Sequence, residues 1–137
     1  MTIMSVLINE GSLNKMITLS TIVSGAIVYD MEVRIFAMDE AVWAFRKDRY
    51  KNLKVESSIE GYENALLKGI EEGKISKWYE QLAELKEMGN LQIHCCAYCC
   101  ILDNLEKKDF LDIVDNISNI GIYINKMILN SDKVITI

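Results

Sequence analysis

The sequence predicts an α/β fold with a mostly parallel sheet and helices on both faces. Short apolar runs of strand length alternate with longer segments whose apolar residues recur every three and four positions. The connections are long enough for crossover helices, and right-handed crossovers leave few topologies. A chain of 137 residues, 50% hydrophobic, can bury one contiguous core but not two ordinary ones, so residues 1–137 are expected to form a single domain.

The first run, Met4-Ser5-Val6-Leu7-Ile8, reads as a buried strand, and Asn9-Glu10-Gly11-Ser12 supplies the turn into a helix with Ser12 as N-cap. Leu13, Met16, Ile17, Ser20, Val23, Ile27 and Met31 then keep helical spacing. Val33 to Met38 is a second strand, and Asp39 is placed to cap a helix bearing Val42, Trp43 and Phe45. Residues 49–60 hold few large apolar side chains and predict a mobile surface excursion.

Tyr62, Ala65, Leu66 and Ile70 mark one further helix. Ser76 starts another, with Trp78, Leu82, Leu85 and Met88 as its inner face and Gly89 closing it at C′. Leu91 to Cys95 is a third strand, followed by a short helix. From Asp109 to Leu129 the apolar residues keep helical spacing, interrupted only by Gly121, so periodicity alone draws one helix there. Lys133 to Ile137 closes the chain as a strand.

The charge balance is 15 basic against 20 acidic residues, a net −5 without a dominant basic stripe, which argues against nucleic acid as a partner. One local exception, Arg46 to Lys54, carries five positive charges around Asp48. It suits an acidic partner or an anionic sulfur substrate, and equally a charged helix end followed by a solvated loop. No apolar run reaches the ~18 residues of a spanning helix. Ile3 to Ile8 has no basic leader, so the expectation is a cytoplasmic protein without a membrane partner.

All four cysteines fall in Cys95-Cys96-Ala97-Tyr98-Cys99-Cys100, too close together to staple a secreted scaffold. In an open parallel sheet, reactive groups gather beyond the carboxyl ends of the strands. Glu10-Gly11-Ser12, Asp39 and the cysteines all belong there, and a helix N-terminus at that edge favours thiolate over thiol.

Three chemistries fit the cluster. Free cysteines can simply pack a strand end. His94 with a C-x-x-C pair suits a metal, although a closed site would need ligands from another segment or subunit. Thiol chemistry is the third: Cys99 follows Cys96 by one turn and Cys100 stands at i+4, close enough to resolve or discharge a sulfur on Cys96.

A vicinal Cys95–Cys96 bridge would be strained, and strand alternation puts those two on opposite faces without saying which one packs. Glu10 can orient or deprotonate a group near Cys96, or simply be solvated; Tyr98 can hydrogen-bond a terminal sulfur or cap a pocket. Trp43, Trp78 and the late isoleucines read as core or oligomer interface.

Whole-chain order also resembles the DsrE/DsrF-like family of small sulfur-transfer proteins. The likeness rests on the opening strand and helix with Gly25-Ala26, on Met31 to Phe36 followed by Trp43, and on Leu85 to Gly89 leading through Ile93 into Cys96. Asp109-Phe110-Leu111-Asp112 and Ile120-Gly121 follow before the last strand. The resemblance implies a three-layer sandwich with a five-stranded sheet, including a short strand between Asp112 and Gly121.

It further implies homo-oligomers such as trimers or hexamers; no cofactor is expected. Cys96 would be the reactive cysteine, passing a persulfide or thiosulfonate group to a partner such as a TusA-type carrier. Cys95 then becomes the packed cysteine. Cys95, Cys99 and Cys100 depart from the family pattern, and Cys99 and Cys100 are candidate releasing or resolving thiols. Glu10, Gly11, Ser12, Asp39 and Tyr98 are the candidate pocket residues. A dithiol oxidoreductase or redox sensor and a metal-bearing oligomeric module are the alternative functions.

Overall fold

The computed structural model describes all 137 residues. In chain order they form β1 (Ile3–Ile8), α1 (Leu13–Val28), β2 (Glu32–Ala37), α2 (Glu40–Ala44), α3 (Tyr62–Glu71), α4 (Trp78–Met88), β3 (Leu91–Cys96), α5 (Ala97–Cys100), β4 (Asn116–Ser118), α6 (Ile120–Lys126) and β5 (Lys133–Thr136). The sheet order is β4-β3-β2-β1-β5, and every neighbouring pair is parallel.

Three layers follow from that order. The crossovers from β1 to β2 and from β2 to β3 step the same way across the sheet, so α1 and α4 share a face, where they pack on each other. Val6, Ile35 and Ile93 stand in register and are fully buried; each such side chain contributes roughly 1.5–3 kcal/mol. The return from β4 to β5 spans the whole sheet in the opposite direction, which places α6 on the other face. There the Tyr123 ring sits 4.5 Å from Phe36 and 5.7 Å from His94 between centroids, and its hydroxyl donates to the Arg34 carbonyl at 2.9 Å. No helix is long and apolar enough to cross a membrane.

The single helix drawn from periodicity over residues 109–129 is not there. The Asp115 carboxylate accepts the Ile93 N–H at 2.8 Å and the Lys86 ammonium at 2.5 Å, which lays the chain alongside β3. Asn116, Ile117 and Ser118 then pair with His94, Cys95 and Cys96. Asn119 restarts the helix as its N-cap, accepting from the Gly121 N–H at 2.8 Å. The short strand implied by the family resemblance is therefore present.

Smaller expectations also change. Met88 is 69% exposed rather than on the inner face of α4. Gly89 is not left-handed; its backbone is extended, and a Cβ there would lie 3.0 Å from the Ile27 side chain, so close packing accounts for it. Asp39 makes no side-chain cap. Residues 49–60 are irregular, but 54–56 are held to the start of α1: Leu13 N–H donates to Lys54 O at 2.8 Å, and the Asn14 amide exchanges two 3.0 Å bonds with the Glu56 backbone.

Candidate functional site

The carboxyl ends of β1, β2 and β3 meet at one edge. The β1–α1 turn is pressed against α2 so closely that a Cβ on Gly11 would stand 2.6 Å from the Glu40 carbonyl oxygen. Only glycine fits there. The Glu40 carboxylate accepts the Gly11 N–H at 2.8 Å, and Ser12 caps α1 by accepting from the Lys15 N–H at 3.3 Å. The amide groups at the start of α1 are thus occupied largely by the chain itself.

After β2 the chain turns sharply through Asp39, whose φ of 51° and ψ of −133° belong to a region that favours glycine. This conformation aims the Asp39 N–H at Cys99, donating to its Sγ at 3.2 Å. Cys99 is half-buried; Cys95, Cys96 and Cys100 are buried, at 0%, 3% and 4% exposure, and all four thiols are free. Alternation was expected to leave one of Cys95 and Cys96 to solvent. Both are covered, because α5 and the following residues fold back over the strand end, with Leu105 N–H donating to Cys100 O at 2.9 Å.

Electrostatics also run against the expectation for Cys99 and Cys100. Burial, followed by the neighbouring Cys96 and Cys99, pushes the Cys100 thiol from its ordinary 9.0 up to about 11. Cys99 is raised as well, first by burial, with the Asp39 N–H pulling the other way and Cys96 and the Asp39 carboxylate adding to the rise. Cys95 is raised most, by burial. Helix α5 has only four residues, so its dipole is small against these effects.

Beside Cys99 lies a cleft of about 500 Å3, walled by Gly11, Ser12, Asp39, Trp43, Arg49 and Lys54, with Leu102 and Glu56 among its remaining neighbours. Cys99 does not line the cleft itself but adjoins it through Asp39, a wall residue whose N–H it accepts. Of the residues expected in a pocket, the structure brings Gly11, Ser12 and Asp39 together. Glu10 lies outside, paired with Lys15 at 3.7 Å, and Tyr98 is 80% exposed and caps nothing.

Trp43 is a cleft wall rather than core, and Arg49 and Lys54 are cleft cations; the topological rule for strand ends does not reach them, because the loop that carries them is positioned by Asn14. Within the basic segment Arg46 is spent internally. Arg46 is buried over the Trp43 ring at 4.3 Å, bidentate to Asp48 at 2.9 and 3.0 Å, and paired with Asp103 at 2.9 Å.

His94 is also committed: its ring lies within 3.2 Å of the Gln92 amide oxygen and 3.3 Å of the Ser118 hydroxyl, and burial lowers its pKa. No group of three or more His, Cys, Asp or Glu side chains is arranged to hold a metal ion. The proposed metal pairing of His94 with the cysteines is therefore not formed within the chain.

No protein-family model and no curated protein matches the chain. Solved structures do. The ychN protein from E. coli is similar over 100% of both chains, with a TM-score of 0.63 and 20% identity. MTH1491 from Methanobacterium thermoautotrophicum, described as of unknown function, is similar over 100% of both chains with a TM-score of 0.69 and 14% identity. BT1422 from Bacteroides thetaiotaomicron, a conserved protein also described as of unknown function, is similar over 97% of this chain and 94% of that one, with a TM-score of 0.56 and 13% identity. At these identities the shared property is the fold: a three-layer α/β sandwich on a parallel five-stranded sheet.

Proposed function

We propose that this protein is a cytoplasmic sulfur carrier of the DsrE/DsrF-like kind, holding a persulfide or thiosulfonate group on Cys96 and passing it to a partner of the TusA type. The observation that supports it most is the set of four free thiols around the carboxyl end of β3, graded from half-exposed Cys99 to buried Cys96, Cys100 and Cys95. A sulfane sulfur on a buried cysteine is shielded from stray thiols, and neighbouring thiols offer routes on and off. Homo-oligomer formation belongs to the same proposal: Ile122, Ile124 and Leu129 are exposed on and just after α6.

The test is intact-mass analysis after exposure to inorganic polysulfide, with fragment ions locating the adduct. Wild type is expected to gain a sulfur on Cys96 that survives a brief thiol wash. Absence of an adduct, or an equally wash-resistant adduct in Cys96→Ser, contradicts the reading.

A second reading, a dithiol oxidoreductase, is favoured by one observation: Cys99 follows Cys96 by one turn at the start of α5, and Cys96 raises its pKa. Under it, peptide mapping of protein equilibrated at physiological thiol potential finds a Cys96–Cys99 disulfide.

A further inference from the structure

The carrier reading leaves open how sulfur reaches a cysteine that is 3% exposed. Neither Cys96 nor Cys99 lines the cleft; Cys99 is the half-buried thiol next to it, bonded at 3.2 Å by the N–H of Asp39, one of the cleft walls. The cleft, at about 500 Å3, is of small-molecule size. Its walls carry both signs of charge. Lys54 has no carboxylate within ion-pair distance, and Arg49 meets only Asp48, at 3.5 Å. Asp39 and Glu56 make no ion pair and supply the opposite charge together with Glu40, whose carboxylate is already engaged by the Gly11 N–H at 2.8 Å. Trp43 and Leu102 give apolar flanks between them. A small inorganic anion would use the cations and leave the Asp39 and Glu56 carboxylates unmatched. A molecule carrying a carboxylate, an ammonium and a short apolar stem uses all of them.

We propose that Cys99 is the entry thiol of the cluster, and that the cleft beside it takes a zwitterionic low-molecular-weight hydropersulfide, an amino-acid or short-peptide R–S–SH, as the sulfur donor. This rests on the carrier reading and adds the route to it. In the first step the Cys99 thiolate attacks the terminal sulfur of R–S–SH. The donor's S–S bond breaks, a new S–S bond forms on Cys99, and R–S⁻ leaves, taking up the proton that Cys99 released. The sum is Cys99–SH plus R–S–SH giving Cys99–S–SH plus R–SH, with no net oxidation or reduction.

In the second step the Cys96 thiolate attacks the terminal sulfur of the Cys99 persulfide. That breaks the Cys99 S–S bond, forms the Cys96 persulfide and returns Cys99 as thiolate. The Asp39 N–H is positioned on Cys99 Sγ in the resting state and is there to stabilise the negative sulfur that the second step regenerates. Its strained backbone is maintained where it serves this contact.

The experiment compares rapid-quench loading from cysteine hydropersulfide and from propyl hydropersulfide, whose stem carries no charged group, read by intact mass and fragment ions. Wild type is expected to load from the zwitterionic donor about tenfold faster or more, as binding in the cleft raises the local donor concentration. Cys99→Ser and Cys99→Ala are expected to lose that fast loading by about the same factor. Cys96→Ser is expected to keep it, with the sulfur held on Cys99. Loading of both Cys99 variants at the wild-type rate, or equal rates from the two donors, overturns the entry route while leaving the carrier reading standing. No sulfur on the wild type or any variant, from either donor or from polysulfide, overturns the carrier reading itself.

Discussion

The backbone N–H of Asp39 donates to the Sγ of Cys99 at 3.2 Å, joining the end of β2 to the cysteine helix across 60 residues of sequence. Asp39 reaches that position only with φ at 51°, a conformation that costs a residue with a side chain about 1–3 kcal/mol. Its carboxylate also raises the Cys99 pKa.

Asp39→Gly therefore separates two effects. The variant is expected to gain up to about 1 kcal/mol in thermal or urea denaturation, since glycine accepts the conformation freely. Cys99 is expected to alkylate at lower pH than in wild type, because the repelling charge is gone while the N–H remains. Loss of stability, or an unshifted alkylation profile, counts against this account of the turn.

Gly11→Ala is expected to destabilise by roughly 1–3 kcal/mol, since its Cβ would meet backbone rather than a yielding side chain. Urea denaturation measures it. A neutral result would mean that α2 moves away from the β1–α1 turn with little resistance.

Arg46 ties the cysteine segment to α2 through Asp48, Asp103 and the Trp43 ring. Arg46→Met is expected to cost about 1–3 kcal/mol, with the lower end set by the two aspartates, which stay half-exposed and solvated. Arg46→Lys is expected to recover little of this, because an ammonium cannot reproduce the bidentate geometry. Full recovery in the lysine variant contradicts the stated role of the guanidinium fork.

Stability should fall on both sides of neutral pH. Cys100 binds its proton more tightly folded, at about 11 against an ordinary 9.0, so the unfolded chain ionises first and stability declines as pH rises from 9 towards 11. The loss from this group is at most about 3 kcal/mol, less whatever solvent screening removes, and Cys95, raised in the same direction, adds to it. His94, lowered by burial, acts on the acid side: below its ordinary 6.5 the unfolded chain takes up the proton first, and stability declines with falling pH. Urea titrations across pH test both limbs; Cys100→Ala should flatten the alkaline one, and an unchanged slope contradicts its assignment.

Four strands were legible because each is a short apolar run bounded by turn residues. The strand Asn116–Ser118 was not. Ile113, Ile117, Ile120 and Ile124 mimic helical spacing, and what overrides them is the Asp115 carboxylate on the Ile93 N–H, a contact between distant segments. At the site, Gly11, Ser12, Asp39 and the cysteines follow from the rule that ligands gather at strand ends. Arg49 and Lys54 do not, since their loop is placed by the Asn14–Glu56 exchange. The burial of Cys96 was equally hidden, because it depends on how residues 97–105 fold back rather than on strand alternation.

The most direct test of the account is the location of sulfur after exposure of the whole protein to inorganic polysulfide, read by intact mass and fragment ions. A single sulfur on Cys96 that survives a thiol wash, absent in that wash-resistant form from Cys96→Ser, is the predicted result. A wild-type protein that gains no sulfur, or a Cys96→Ser protein that retains it equally well, would contradict the claim that this strand-end cysteine is the carrier.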